Sequence, residues 1–172
     1  MGYGVSYFMR KDYLGWNTLE GQTRFLNELK DTLMKLGLTG MEPLMEASES
    51  CHEMYLNDGL AYATEFLVYG NMIEAYTALG WTTFLQEDVA MPIRRELRRI
   101  AEAIGAQDCC IGTDYTTGQA DFPWPDDFEG WIAAAEKRFG KIEEFDLKRL
   151  ADDLGNGKWP SDLYHDSIRD IG

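Results

Sequence analysis

The 172-residue sequence predicts a helix-rich α+β fold: about five to six helices packed with a small two- or three-stranded sheet. Three observations carry that expectation. Long segments repeat apolar residues at helical spacing, and only two short segments alternate at strand spacing. Apolar residues make up 45% of the chain, enough for a proper core, and the length suits one globular domain over 1–172.

The elements follow in order. "YGVSYFMR" (3–10) alternates Tyr3, Val5, Tyr7 and Met9 and reads as a strand. Over 21–37, Phe25, Leu29, Leu33 and Leu36 form a helical stripe, and Gly37 sits where a C-terminal cap belongs. Segment 41–56 reads as a helix with Pro43 in its first turn and Leu44, Ala47, Cys51 and Tyr55 on one side. Segment 58–80 is apolar nearly all round, through Leu60, Phe66, Leu67, Met72, Ile73, Tyr76 and Leu79, and reads as a buried central helix.

Residues 81–86 suit a strand or a connector. Residues 87–105 are a helix, with Val89, Ile93, Leu97, Ile100 and Ile104 buried, acids at its start and Gly105 at its end. "DCCIGTDYTT" (108–117) reads as a second strand. Three further helices follow: one carrying Phe128, Trp131, Ile132, Ala135 and Phe139 and closed by Gly140, one over about 143–154, and a short terminal one capped by Ser161.

Charge is the strongest functional signal. Thirty acidic residues against sixteen basic ones leave a formal charge of −14. Such a surface repels nucleic acid and anionic membrane and attracts basic proteins or cations. The acids are unevenly placed. Positions 36–93, 58 residues, contain no Lys or Arg but nine acids: Glu42, Glu46, Glu49, Glu53, Asp58, Glu65, Glu74, Glu87 and Asp88. The first four are spaced 4, 3 and 4 apart and form one stripe on a helix. Like charges at that spacing disfavour a helix, so relief must come from the rest of the fold, a metal or a partner.

Four arginines, Arg94, Arg95, Arg98 and Arg99, stand against this balance in "RRELRR". On a helix they pair by i,i+4 into two rows. Three roles suit them: internal ion pairs with the glutamates of 42–53, a site for an anionic ligand, or a contact between copies of the chain. If the glutamate stripe instead faces outward, it is a docking surface for a basic partner, where complementary charge speeds encounter and excludes wrong partners.

Other chemistry is sparse. Each of the two histidines follows a carboxylate by three residues, Glu49–His52 and Asp162–His165, as in the Glu-x-x-His of di-iron bundles, with Glu65 or Glu74 able to complete a set. Cys51, Cys109 and Cys110 are an odd count with two adjacent, which argues for reduced thiols rather than a disulfide framework. In a strand, one of Cys109 and Cys110 points inward and the other outward. In "FPWPDDFEGW", two prolines stiffen the approach to a helix and can present Trp124, beside Asp126 and Asp127, as an interface anchor. The start of the chain lacks the pattern of a signal peptide, and no apolar stretch of about 18 residues suits a membrane span.

These features point to a cytoplasmic, non-catalytic acidic protein that neutralises a basic protein effector, in the manner of an immunity protein, an antitoxin or a phage-type inhibitor. The partner is a toxin or nuclease-like protein, with no cofactor, no direct nucleic-acid contact and no membrane. Glu42, Glu46, Glu49, Glu53, Trp124, Asp126 and Asp127 carry that binding. Two alternatives belong to other classes: a metal-dependent enzyme using Glu49, His52, Asp162 and His165, and a homo-oligomeric scaffold, with a homodimer as its simplest form.

Overall fold

The computed structural model describes residues 4–38, 44–47, 52–56, 64–77, 79–113, 127–158 and 163–166, with only the backbone described at 44–47, 52–56, 64 and 113. Its centre is an eight-stranded sheet rather than the small one expected. The strands are β1 (Val5–Arg10), β2 (Leu44–Ala47), β3 (His52–Leu56), β4 (Thr64–Tyr69), β5 (Met72–Thr77), β6 (Asp108–Thr113), β7 (Glu143–Glu144) and β8 (Tyr164–His165). They lie in the order β2-β3-β4-β5-β1-β6-β8-β7. All neighbours are antiparallel except β7 and β8, which are parallel, so the sheet is mixed.

In their described parts, two expected helices are antiparallel strand pairs. Within 41–56 the chain forms β2 and β3, paired with Glu46 opposite Glu53. Within 58–80 it forms β4 and β5, joined by a two-residue turn at Gly70–Asn71. Gly70 has φ of 56°, the positive value that the first central position of a tight hairpin turn requires. The all-round apolar pattern of this segment has a different cause from the expected one. Phe66, Val68 and Ile73 face one layer while Tyr69 and Met72 face another, so the strands are buried on both sides. The expected terminal helix is also corrected in its described part, where Tyr164 and His165 form β8.

Among the described residues there are five helices: α1 (Leu19–Lys35), α2 (Trp81–Phe84), α3 (Glu87–Ile104), α4 (Phe128–Phe139) and α5 (Leu147–Gly155). Local signals set their ends. Thr18 caps α1 by accepting from the Gly21 amide, Asp127 caps α4 through Gly130, and Asp146 caps α5 through Arg149. Gly105 closes α3 at φ 70°.

The helices cover both faces of the sheet. On one, Tyr7, Met9, Phe66, Ile73 and Ile111 pack against Phe25, Leu26 and Leu29 of α1 and Ile93, Leu97 and Ile100 of α3. On the other, Phe8, Tyr69, Met72 and Cys110 pack against Phe128, Trp131 and Ala135 of α4. Each fully buried side chain of this size contributes on the order of 1.5–3 kcal/mol. Asn71 ties the second layer down. Its side chain accepts from the Phe128 amide (2.7 Å) and donates to Asp12 (2.7 Å), while its carbonyl accepts from the Lys11 amide (2.9 Å). One side chain thus joins the β4–β5 turn, the end of β1 and the start of α4. Among the described residues, no helix is long and apolar enough to cross a membrane.

Candidate functional site

Three constellations of charged or reactive side chains occupy different parts of this sheet. The first is its acidic end. β2 is an outermost strand, and the register seats Glu46 of β2 directly opposite Glu53 of β3. The four-glutamate helical stripe therefore does not exist: Glu46 and Glu53 are strand residues, and Glu42 and Glu49 lie outside the described residues. Two further acids of the same stretch sit inward along the sheet. Glu65 on β4 is half-buried, and Glu74 on β5 is buried and accepts a 2.7 Å hydrogen bond from the Ser6 hydroxyl.

The second constellation surrounds the arginines of α3. Arg94 lies on the buried side of the helix, among Ala90, Ile93, Leu97 and Ala101. Its fork holds Asp166, just beyond β8, through Nη2 (2.5 Å) and Nε (3.2 Å), and its guanidinium stacks over Phe145, 4.7 Å from the ring centroid. The two charged side chains are 11% and 1% exposed, so this is an interior ion pair. Arg98 pairs with Glu102 on the same helix at 2.9 Å. Arg99 donates to the Leu36 carbonyl at the end of α1 (3.5 Å), and Arg95 is exposed. The described partners of these arginines thus include Asp166, Glu102, the Met91 sulfur and a helix C-terminus, and among the described residues no acidic helix faces them.

The third constellation is built from β6 and β8. Cys109 and Cys110 alternate across β6, but because both faces are covered, both thiols are buried instead of one facing outward. Cys109 joins the layer of α1 and α3, where burial pushes its thiol up to about 12. Tyr7 is raised far above the ordinary tyrosine range, first by burial and then by Cys109 and Asp166 beside it. Cys110 joins the layer of α4 and is opposite His165 in the β6–β8 pairing. Its Sγ lies 3.5 Å from His165 Nδ1. Burial first, and then the charge of Asp108, raises this thiol well above its usual range. Asp108, two residues earlier on the same strand face, places Oδ1 3.8 Å from the same Nδ1. That oxygen also accepts from the Cys109 amide at 2.9 Å.

Asp108, Cys110 and His165 form the described group with metal-ligating chemistry, their ligand atoms all within 4.8 Å of one another. This arrangement does not make a nucleophilic triad. A Cys–His–Asp relay uses the two ring nitrogens for different partners, whereas here the thiol and the carboxylate both approach Nδ1. A buried thiol with a raised pKa is also a poor thiolate source.

The sequence-predicted metal set is not brought together. His52 on β3 and His165 on β8 are five strand steps apart, about 24 Å at ordinary strand spacing, while Glu49 and Asp162 lie outside the described residues. Trp124 and Asp126 also lie outside them, and Asp127 serves as the cap of α4, accepting from Gly130 at 2.5 Å. Asp108, Cys110 and Asp166 were not singled out by sequence reasoning as site residues. The i,i+2 spacing of Asp108 and Cys110 in a strand was the available signal for two of them. Compared with known proteins, the chain matches no family model, no curated protein and no solved structure.

Proposed function

We propose that the protein is a non-catalytic acidic binding protein that neutralises a basic protein effector, docking it on the acidic end of the sheet. The observation that carries this reading is the cross-strand Glu46–Glu53 pair on the edge strand β2 and its neighbour β3, inside a 58-residue stretch with nine acids and no Lys or Arg. Two like charges are kept opposite each other where an oppositely charged pair would be more stable. A basic partner converts that cost into attraction, and the net charge of −14 steers the encounter. Nucleic acid and anionic membrane are disfavoured by the same field. The cytoplasm is the compartment this reading assigns, with Cys109 and Cys110 as free thiols.

The arginines of α3 do not compete for this role. Arg94 is committed to Asp166, and Arg98 and Arg99 have partners on α3 and α1. The test is capture from a lysate of the native host with tagged protein, washed at low and at high salt. A basic protein retained stoichiometrically at low salt and released at high salt is the expected result. Retention that ignores salt, or retention of acidic proteins only, would contradict the reading, and recovery of untagged copies of the chain alone would point to self-association instead.

A further inference from the structure

We propose that Asp108, Cys110 and His165 form a binding site for a single zinc-class divalent cation, with one coordination position left open. The argument is geometric. A tetrahedral zinc ion held by one thiolate, one imidazole and one carboxylate sets its ligand atoms about 3.4–3.6 Å apart, given the usual bond lengths. Here Cys110 Sγ lies 3.5 Å from His165 Nδ1, His165 Nδ1 lies 3.8 Å from Asp108 Oδ1, and the three atoms fall within 4.8 Å of one another. The widest separation exceeds the tetrahedral value, so binding requires Asp108, whose side chain is 46% exposed, to turn toward Cys110.

Hydrogen bonding alone is a poorer account of the same atoms. A Cys110–His165 hydrogen bond joins two of the three atoms, while Asp108 Oδ1, at 3.8 Å, is beyond hydrogen-bond reach of Nδ1. A cation serves all three. The mixture of one sulfur, one nitrogen and one oxygen suits a borderline-soft ion such as zinc better than magnesium or calcium, which take oxygen ligands.

The surroundings favour positive charge as well. The charged groups whose fields reach Cys110 include Asp108, Asp166 and Glu144, all acidic. Glu144 pairs with His165 across β7 and β8 at the exposed rim of the site. The Cys109 amide hydrogen bond to Asp108 Oδ1 orients that carboxylate, the kind of outer support that metal-binding carboxylates commonly have. His165 is 29% exposed and, with Asp108, gives the ion a route from solvent to a sulfur that is otherwise buried. Binding displaces the thiol proton, which leaves with solvent, and the ion takes its place.

The experiment uses the full chain with any histidine tag removed, stripped by chelator under reducing conditions and dialysed. Cobalt(II) is titrated in as a spectroscopic probe, and zinc uptake is counted by elemental analysis. One zinc per chain, a thiolate-to-cobalt charge-transfer band and a raised melting temperature with metal are expected. Cys110→Ser should lose the band, and Asp108→Asn and His165→Gln should lose stoichiometric uptake. Cys109→Ser, on the opposite face of the strand, should keep the band. Circular dichroism confirms that each variant is folded. A wild-type chain that takes up neither ion stoichiometrically would overturn the proposal, and this result does not depend on any variant folding. A band that survives Cys110→Ser, or that disappears in folded Cys109→Ser while Cys110→Ser retains it, would also overturn it.

Discussion

Replacing Asp166 by Asn should leave the Arg94 guanidinium buried without its counter-charge. Asp166 is 1% exposed and holds Arg94 with two hydrogen bonds, at 2.5 and 3.2 Å. Asn keeps the shape and can accept one of them, but it removes the negative charge. Removing one partner of a buried pair costs about 3–5 kcal/mol, because the remaining ion is desolvated and uncompensated. The residual Asn contact and the Phe145 ring, 4.7 Å away, place the expected loss near the lower end, about 3 kcal/mol. That is a large share of a domain stability of about 5–15 kcal/mol.

Urea unfolding followed by tryptophan fluorescence reads this directly. With a slope of about 2 kcal/mol/M, the midpoint should fall by about 1.5 M with the slope unchanged. The double variant Arg94→Met/Asp166→Leu removes both charges and should recover most of the loss, to within about 1 kcal/mol of wild type. A midpoint shift in Asp166→Asn below about 0.3 M would refute the reasoning, because it would mean that Arg94 is solvated without Asp166. A double variant as unstable as the single one would refute it equally.

Three other predictions follow from the same structure. Arg10 and Asn71 hold the Asp12 carboxyl below the usual carboxylate range, so its contribution to stability is present above the unfolded value near pH 4 and is lost as pH falls through the lower folded one. Asp12→Asn should therefore lower the urea midpoint at pH 7 by the equivalent of about 0.5–1 kcal/mol, a solvent-screened figure for a side chain 35% exposed, and by less at pH 3. Gly21→Ala should destabilise by about 1–3 kcal/mol although alanine favours helices, because its Cβ would be driven into the backbone of Gly15; a melting temperature that rises would show that this loop gives way. Glu46→Lys places opposite charges across β2 and β3, so it should raise stability by about 0.2–1 kcal/mol while weakening partner capture, and a loss of stability would mean the glutamate is structural.

The long helices were legible because each is covered on one side only. α1 and α3 each bury a single stripe, so their 3.6-residue period shows in the sequence, and their ends carry Thr18, Gly37 and Gly105. β4 and β5 show no such period because they are buried on both faces in their described part, and an all-apolar run has none. The pair Gly70–Asn71 between two β-branched and aromatic runs was the available hairpin signal, and it outweighs the apolar count. In the 41–56 segment, acids spaced 4, 3 and 4 apart imitated helical periodicity, while the chain forms β2 and β3.

The sites divide in the same way. That positions 36–93 are acidic and lack basic residues is visible from composition alone, and it survives the change from helix to hairpin. The partner of Arg94 lies 72 residues away, and no local spacing could have named it. The same holds for Cys110 and His165, 55 residues apart and joined only because β8 adds to the sheet beside β6. The i,i+2 spacing puts Asp108 and Cys110 on one strand face, but it does not mark them as a site, and the third member needs the topology.

The most direct test of the central claim is capture from native-host lysate by the wild-type chain and by Glu46→Lys/Glu53→Lys, run side by side at low and high salt. The account predicts that the wild type retains a basic protein at low salt only, and that the reversed pair, folded by circular dichroism, retains none of it. Equal retention by both chains would contradict the account and remove the acidic hairpin from the binding surface.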